Sequence, residues 1–227
     1  MNGFVVAIDG PAASGKSTTA RLAAERLDFL YLDTGAMYRA VTWKALETGV
    51  DLDDGAALGA LADAIRLDLA ERRGEGQVLV DGEDVTGRIR EPRISRAVSR
   101  VSMEPAVRRA MVRIQREIGT RGRCVVEGRD IGTVVFPEAP VKIYLEASLE
   151  ERARRRREEL AARGVKQRPE DVIAEIRARD AMDSEREDSP LRRAADAILV
   201  DTTGLSIEEQ VVEVVRIVRD ALKGASA

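Results

Sequence analysis

The sequence predicts an α/β fold in which a five-stranded parallel sheet is flanked by helices and carries two elaborations. Three observations support this. Short apolar runs rich in Val, Ile and Leu recur at residues 4–9, 29–32, 123–127, 141–145 and 197–200, as expected for strands buried on both faces. Stretches at helical spacing lie between most of them, which favours parallel strands joined by helical crossovers. The rhythm breaks from about residue 50 to 100, marking an insertion, and an arginine-rich pair of helices follows the fourth strand.

Each element has a local reason. FVVAID at 4–9 stops at Gly10 and Pro11, a strand feeding a tight loop. Residues 16–27 have helix spacing, 29–32 form the second strand, and 36–47 read as a helix with Thr34 as N-cap. Residues 55–69 read as an alanine-rich helix, and GEGQVLVDGEDVTGRIR at 74–90 as a small antiparallel piece turning at Asp81 and Gly82. Residues 94–101 and 105–118 read as helices, the second with Pro105 in its first turn. Ser148 and Glu151 form a capping box opening a long charged helix. A turn with Gly164 and Pro169 leads to a helix at 170–180 and then the polar stretch AMDSEREDSP. After the last strand, Ser206 and Glu209 cap an amphipathic helix running to about Leu222.

Composition narrows the function. The 227 residues are 44% hydrophobic and 34% charged, which fits one elaborated domain over 1–227. A formal net charge of -3 gives no global pull toward nucleic acid or an anionic membrane. There is no histidine, which removes His-based triads and His-bearing zinc sites. The lone Cys124 lies in an apolar run and reads as a small buried hydrophobe in a reducing cytoplasm. No stretch approaches the roughly 20 apolar residues of a membrane span. A cytoplasmic protein, working as a monomer without nucleic acid or membrane, is expected.

The strongest motif is GPAASGKS, which matches GxxxxGK[ST] between a predicted strand and a predicted helix. Gly10, Pro11, Ala12, Ala13, Ser14, Gly15, Lys16, Ser17 and Thr18 would surround phosphate oxygens with loop amides and a helix N-terminus. Lys16 supplies charge to the outer phosphates, and Ser17 suits Mg²⁺. Glu127, and Asp9 beside the loop, read either as neighbours of that metal, directly or through water, or as caps on adjacent turns. DTGAMYR follows the second strand and puts Arg39 about one turn into a helix at the ligand-binding side of the sheet. EGRDIGTVVF at 127–136 sets Arg129 and Asp130 bare between two glycines, where a strand hands over to a turn. The arginines from Arg152 to Arg157, with Arg163, Lys166 and Arg168, cover every face of their helix. Most must be solvated or paired with neighbouring glutamates, while one or two suit a closing lid that excludes water from a transferring phosphate.

IDGPAASGKST, YLDTGAMYR, VLVDGEDVTGRIR, EGRDIGTVVFPEAPVKIYL, RDAMDSER and RRAADAILVDTTGLS, in that order, closely resemble the bacterial cytidylate kinases of the nucleoside monophosphate kinase group. The resemblance covers almost the whole chain. It implies the P-loop nucleoside monophosphate kinase fold, with a monophosphate-binding region over 34–102 that includes the insertion and a lid over 150–186. It also implies transfer of the γ-phosphate of ATP to CMP or dCMP with Mg²⁺. The acceptor phosphate would then meet Thr34, Arg39, Arg129 and Arg186, the cytosine Ser99, Arg108 and Asp130, and the ribose Arg179 and Asp183. Lid arginines Arg154 and Arg157 would accompany the donor. Thr34 and Glu127 stand where serine and aspartate are familiar in the family, which leaves the functional groups in place. The readings kept beside this one are another monophosphate kinase, such as one for adenylate or dephospho-coenzyme A, and an RNA- or partner-binding P-loop switch.

Overall fold

The computed structural model describes residues 3–72, 75–162 and 164–224, so Gly74 at the head of the expected antiparallel piece and Arg163 lie outside the described residues. In chain order the elements are β1 (Val5–Asp9), α1 (Lys16–Leu27), β2 (Leu30–Asp33), α2 (Thr34–Thr48), α3 (Gly55–Ala64), β3 (Leu67–Arg72), β4 (Glu75–Val80) and β5 (Glu83–Asp84). There follow α4 (Pro92–Met103), α5 (Pro105–Gly119), β6 (Cys124–Gly128), β7 (Val141–Glu146), α6 (Leu149–Ala162), α7 (Pro169–Glu185), β8 (Ile198–Asp201) and α8 (Ile207–Gly224). A 3₁₀ turn occupies Arg88–Arg90 and a π-helical turn Ile131–Val135.

The expected five strands form one sheet in the order β2-β6-β1-β7-β8. Strand β1 runs parallel to β6 and β7, and β7 parallel to β8. The chain divides into two compact units, Met1–Tyr31 with Gly119–Ala227, and Leu32–Ile118. In the first, every residue of β1 and β6 is buried, as a covered parallel strand requires. Ile8, Val125, Ile143 and Leu145 pack with Ala20 and Ala23 of α1 and Val211, Val214 and Val218 of α8. Each fully buried aliphatic side chain contributes about 1.5–3 kcal/mol. Both halves of the capping box at α8 form: Glu209 N donates to Ser206 Oγ at 3.3 Å, and Ser206 N to Glu209 Oε2 at 2.8 Å. At α6 only one half forms. Glu151 N donates to Ser148 Oγ, while the Glu151 carboxylate goes to Arg154 and Arg155. Helix α7 continues past 180 through the first half of AMDSEREDSP, to Glu185.

The second unit corrects two expectations. The helix expected over 55–69 ends at Ala64, and the chain from Leu67 joins an antiparallel sheet ordered β3-β4-β5. Alternate Leu67 and Leu69 pack on a core of Trp43, Ile65, Val78, Val80 and Ile89, so tertiary burial overrides a helical composition. The N-cap of α2 is Asp33, whose Oδ1 accepts from Ala36 N at 2.9 Å; Thr34 is the first helical residue. A carboxylate at that position satisfies a free amide and favours the positive helix end.

Gly59 of α3 lies against Ala106 of α5, where a Cβ would come within 2.5 Å of the alanine Cβ. Gly59→Val is expected to lower unfolding stability by roughly 1–3 kcal/mol through overpacking. Ala60→Val, on the exposed neighbouring position, should change it much less; urea denaturation of both variants checks this.

Candidate active site

The loop between β1 and α1 is held in a shape that few sequences tolerate. Ala13 has φ 59° and Gly15 φ 92°. Left-handed residues among right-handed ones aim successive N–H groups to one side, making a nest for an anion. A non-glycine residue held there costs of order 1–3 kcal/mol, the kind of strain that collects at binding sites. A Cβ on Gly10 would stand 2.1 Å from the Leu145 carbonyl oxygen, and one on Gly15 2.8 Å from Gln210 Oε1, so the loop is pressed onto β7 and α8. Lys16, 6% exposed, donates from Nζ to the Pro11 carbonyl at 3.1 Å. Burial first, then the positive field of Arg129, pushes its pKa down to about 7 against the opposing pull of Glu127.

The two acids left open by the sequence separate. Asp9 is a turn cap: Oδ1 accepts from Ile131 N and Oδ2 from Gly132 N, both at 2.8 Å. Burial pushes its pKa up to about 6, with those two amides opposing the rise. Glu127, 3% exposed at the end of β6, accepts from the Tyr31 hydroxyl at 3.0 Å. The same hydroxyl reaches the Ser17 carbonyl at 3.4 Å, so Glu127 and the exposed Ser17 in the first turn of α1 both lie against the Tyr31 hydroxyl.

After β6 the chain makes the π-helical turn, closed by Phe136 N to Ile131 O at 2.7 Å and Val135 N to Asp130 O at 3.1 Å. Such turns are rare and often mark functional positions. Here Arg129 Nε donates to Asp183 Oδ2 at 2.7 Å, and Arg186 Nη2 lies 3.6 Å from Asp130 Oδ1. Burial would raise the Asp183 pKa, but Arg129, with Arg179 and Arg186, holds it below the ordinary carboxylate value. Arg129, Asp130, Arg179, Asp183 and Arg186 are thus brought into one alternating-charge cluster, of which Arg129, Arg179 and Asp183 also act on Lys16.

Arg154 and Arg157 are not the arginines that α6 turns toward the loop. Arg154 is exposed and pairs with Glu151 and Glu158 at 2.7 and 2.6 Å, and Arg157 is exposed. Arg152 and Arg155 reach the loop instead, donating to the carbonyls of Ala12 and Ser14 at 3.1 Å each. Sequence reasoning counted these two among the α6 arginines without choosing them, because arginines on every face of α6 erase its periodicity, and it did not single out Asp180 of α7.

In the second unit, Arg39 donates from Nη1 to Ser95 Oγ at 2.9 Å. Ser99 lies one turn further along α4. Arg108 is 2% exposed, its guanidinium carbon 5.8 Å from the centre of the Tyr38 ring, and Thr34 is buried. Ser95 and Tyr38 were not singled out in the sequence. The serines four residues apart on α4 were the available signal.

A family model described as cytidylate kinase matches residues 6–220. The cytidylate kinase of Geobacillus kaustophilus (strain HTA426) is 51% identical over 217 residues, covering 96% of this chain and 97% of that protein. The chain belongs to the cytidylate kinase family. Another relative, the cytidylate kinase of Pelotomaculum thermopropionicum (strain DSM 13744 / JCM 10971 / SI), is 52% identical over 213 residues, 93% of this chain and 94% of that one. A solved structure of an uncharacterized protein from Eubacterium ventriosum ATCC 27560 shares the fold at a TM-score of 0.51 and 12% identity, covering 96% of this chain and 98% of that one.

A polyphosphate held in the loop would favour the charged form of Lys16. ATP binding near about pH 8 is therefore expected to take up to about one proton, and near about pH 6, below the folded pKa, much less. Calorimetry in buffers of different ionisation enthalpy reads this directly, and Lys16→Met should abolish the uptake. Without ligand, the folded state bears the cost of a charged buried lysine below about pH 7. That cost is relieved as pH rises toward the unfolded value of 10.5, so this group's contribution favours folding increasingly across that window.

Proposed function

We propose that this chain transfers the γ-phosphate of ATP to CMP or dCMP, giving ADP and CDP or dCDP, in pyrimidine nucleotide metabolism. The observation that carries the reading is the strained phosphate nest, with buried Lys16, in the same unit as the Asp9-tethered turn bearing Arg129 and Asp130, on a chain of the cytidylate kinase family. Loop amides from Gly10 to Thr18 hold the donor phosphates. Arg129 and Arg186 take the acceptor's phosphate, Asp130 its base, and Arg179 and Asp183 its ribose. In the second unit Thr34 and Arg39 serve the phosphate, and Ser99 and Arg108 the base. The proposed lid spans 150–186, and the proposed setting is the cytoplasm, as a monomer. No helix among the described residues is long and apolar enough to cross a membrane.

The donor set of a Ser17 hydroxyl and a Glu127 carboxylate fits Mg²⁺, a hard cation that keeps several waters and takes few protein ligands. Among the described residues no group of three or more His, Cys, Asp or Glu could cage a metal alone. When bound, the ion would neutralise charge on the donor phosphates. Lys16 adds its own positive charge where the γ-phosphoryl carries negative charge, and the acceptor-side arginines hold the accepting oxygen in line. That oxygen is largely deprotonated near neutral pH, its second pKa being about 6, so no general base is required. The absence of histidine is consistent with such direct transfer.

Cytosine offers an amine donor at position 4 and acceptors at N3 and O2. A carboxylate and a guanidinium match that mixed edge; uracil inverts part of it. Each lost pairing costs on the order of 1–3 kcal/mol, so UMP should be used about tenfold or more worse than CMP. The test is ADP formation over a panel of monophosphates: response to CMP and dCMP supports the proposal, and hydrolysis indifferent to every monophosphate favours a P-loop switch. Lys16→Ala should cut turnover by orders of magnitude. Asp130→Ala should harm CMP use more than ATP binding or stability, with some loss of stability because Arg186 loses the carboxylate it faces; steady-state kinetics and urea denaturation of the purified variant check this.

A further inference from the structure

We propose that Arg152 and Asp180 are positioning residues that fix the Ala12 peptide of the donor loop and tie it to the ribose-facing stretch of α7. The inference rests on the donor and acceptor roles proposed above. Ala12 is held at both its polar groups. Its N–H donates to Asp180 Oδ1 at 3.1 Å, and its carbonyl accepts from Arg152 Nη1 at 3.1 Å. The same Nη1 lies 2.5 Å from Asp180 Oδ2, and Arg152 Nε donates to the Ala147 carbonyl at 3.2 Å. The pair is largely buried, with side chains 11% and 22% exposed, so these charge-assisted bonds are little screened.

The placement gives the clamp a task. Ala12 immediately precedes Ala13, whose left-handed backbone shapes the nest, so releasing Ala12 frees the strained residue beside it. Asp180 follows Arg179 and precedes by one helical turn Asp183, which holds Arg129. A displacement of α7 on acceptor binding is therefore delivered to the donor loop through two charged hydrogen bonds. Arginine suits this because Nη1 has two hydrogens, one for the Ala12 carbonyl and one for the Asp180 carboxylate, while Nε anchors the group on Ala147, and because it never loses its charge.

The test uses the full chain with Asp180→Asn and Arg152→Lys. Binding of a non-hydrolysable ATP analogue is measured with and without CMP, and of CMP alone, by calorimetry. Asparagine keeps the shape but turns an amide NH₂ toward one of the two donors, Ala12 N or Arg152 Nη1, each of which meets its own carboxylate oxygen in the wild type. The dissociation constant of the analogue should rise about tenfold, while that of CMP alone stays within about twofold. The influence of CMP on analogue affinity should shrink in both variants. Unchanged analogue affinity in both variants overturns the proposal. So does equal weakening of both ligands in step with a lower unfolding midpoint, which is the signature of a merely structural pair. Should Asp180→Asn not fold, Arg152→Lys keeps the charge and gives the same reading. A wild-type chain that binds the analogue yet ignores CMP in the turnover assay refutes the functional reading without deciding the clamp, which the analogue affinities judge alone.

Discussion

At the end of β1 the Asp9 carboxylate takes two amide protons from the turn after β6, and the first unit's chemistry is arranged around that grip. The residue after Asp9 is Gly10, where the donor loop begins, and the residue before Ile131 is Asp130. One short side chain thus sets the start of the phosphate nest and the height of the Arg129–Asp130 step together. Burying a carboxylate is costly, as its raised pKa of about 6 records. Two charge-assisted bonds in a dry setting offset much of that cost. The arrangement works only because β1 and β6 are adjacent parallel strands whose carboxyl ends open on the same side.

Around that step the charged groups alternate so that none stands alone. Lys16 lies between the fields of Arg129 and Glu127, Arg129 is bound to Asp183, and Arg186 faces Asp130. The two cation types respond differently to burial. The lysine yields, its pKa falling to about 7, whereas the guanidinium keeps its charge and requires a carboxylate partner. The many arginine–glutamate contacts along the exposed side of α6 belong to another class, since solvated pairs of that kind contribute little to stability.

Although only β1 and β6 are buried throughout, with β7 alternating and the outer strands β2 and β8 partly exposed, the strands of the sheet were legible because each is a short run rich in apolar residues. Residues 67–69 were not, because an alanine-rich lead-in carries helical propensity straight through Ala64, and only pairing with β4 makes a strand of the chain from Leu67. Asp33 and Thr34 are both good caps; which one serves depends on where the backbone leaves β2. On α6, arginines spread over every face left no stripe to read, so the grip of Arg152 and Arg155 on the loop carbonyls was invisible.

The sequence by itself determined the phosphate loop, the sheet, the family and the residue types of the charged cluster around Arg129, because these depend on local spacing and on chain-long patterns of apolar residues. Only the tertiary structure decided which acid caps a turn and which lies beside Tyr31, and which arginines grip the loop. Those assignments depend on contacts between residues 96 or more positions apart, such as Tyr31 with Glu127, Asp9 with Ile131 and Ala12 with Arg152. Side-chain chemistry names the candidates for such contacts, and the packing of the strands and helices around them selects the pair.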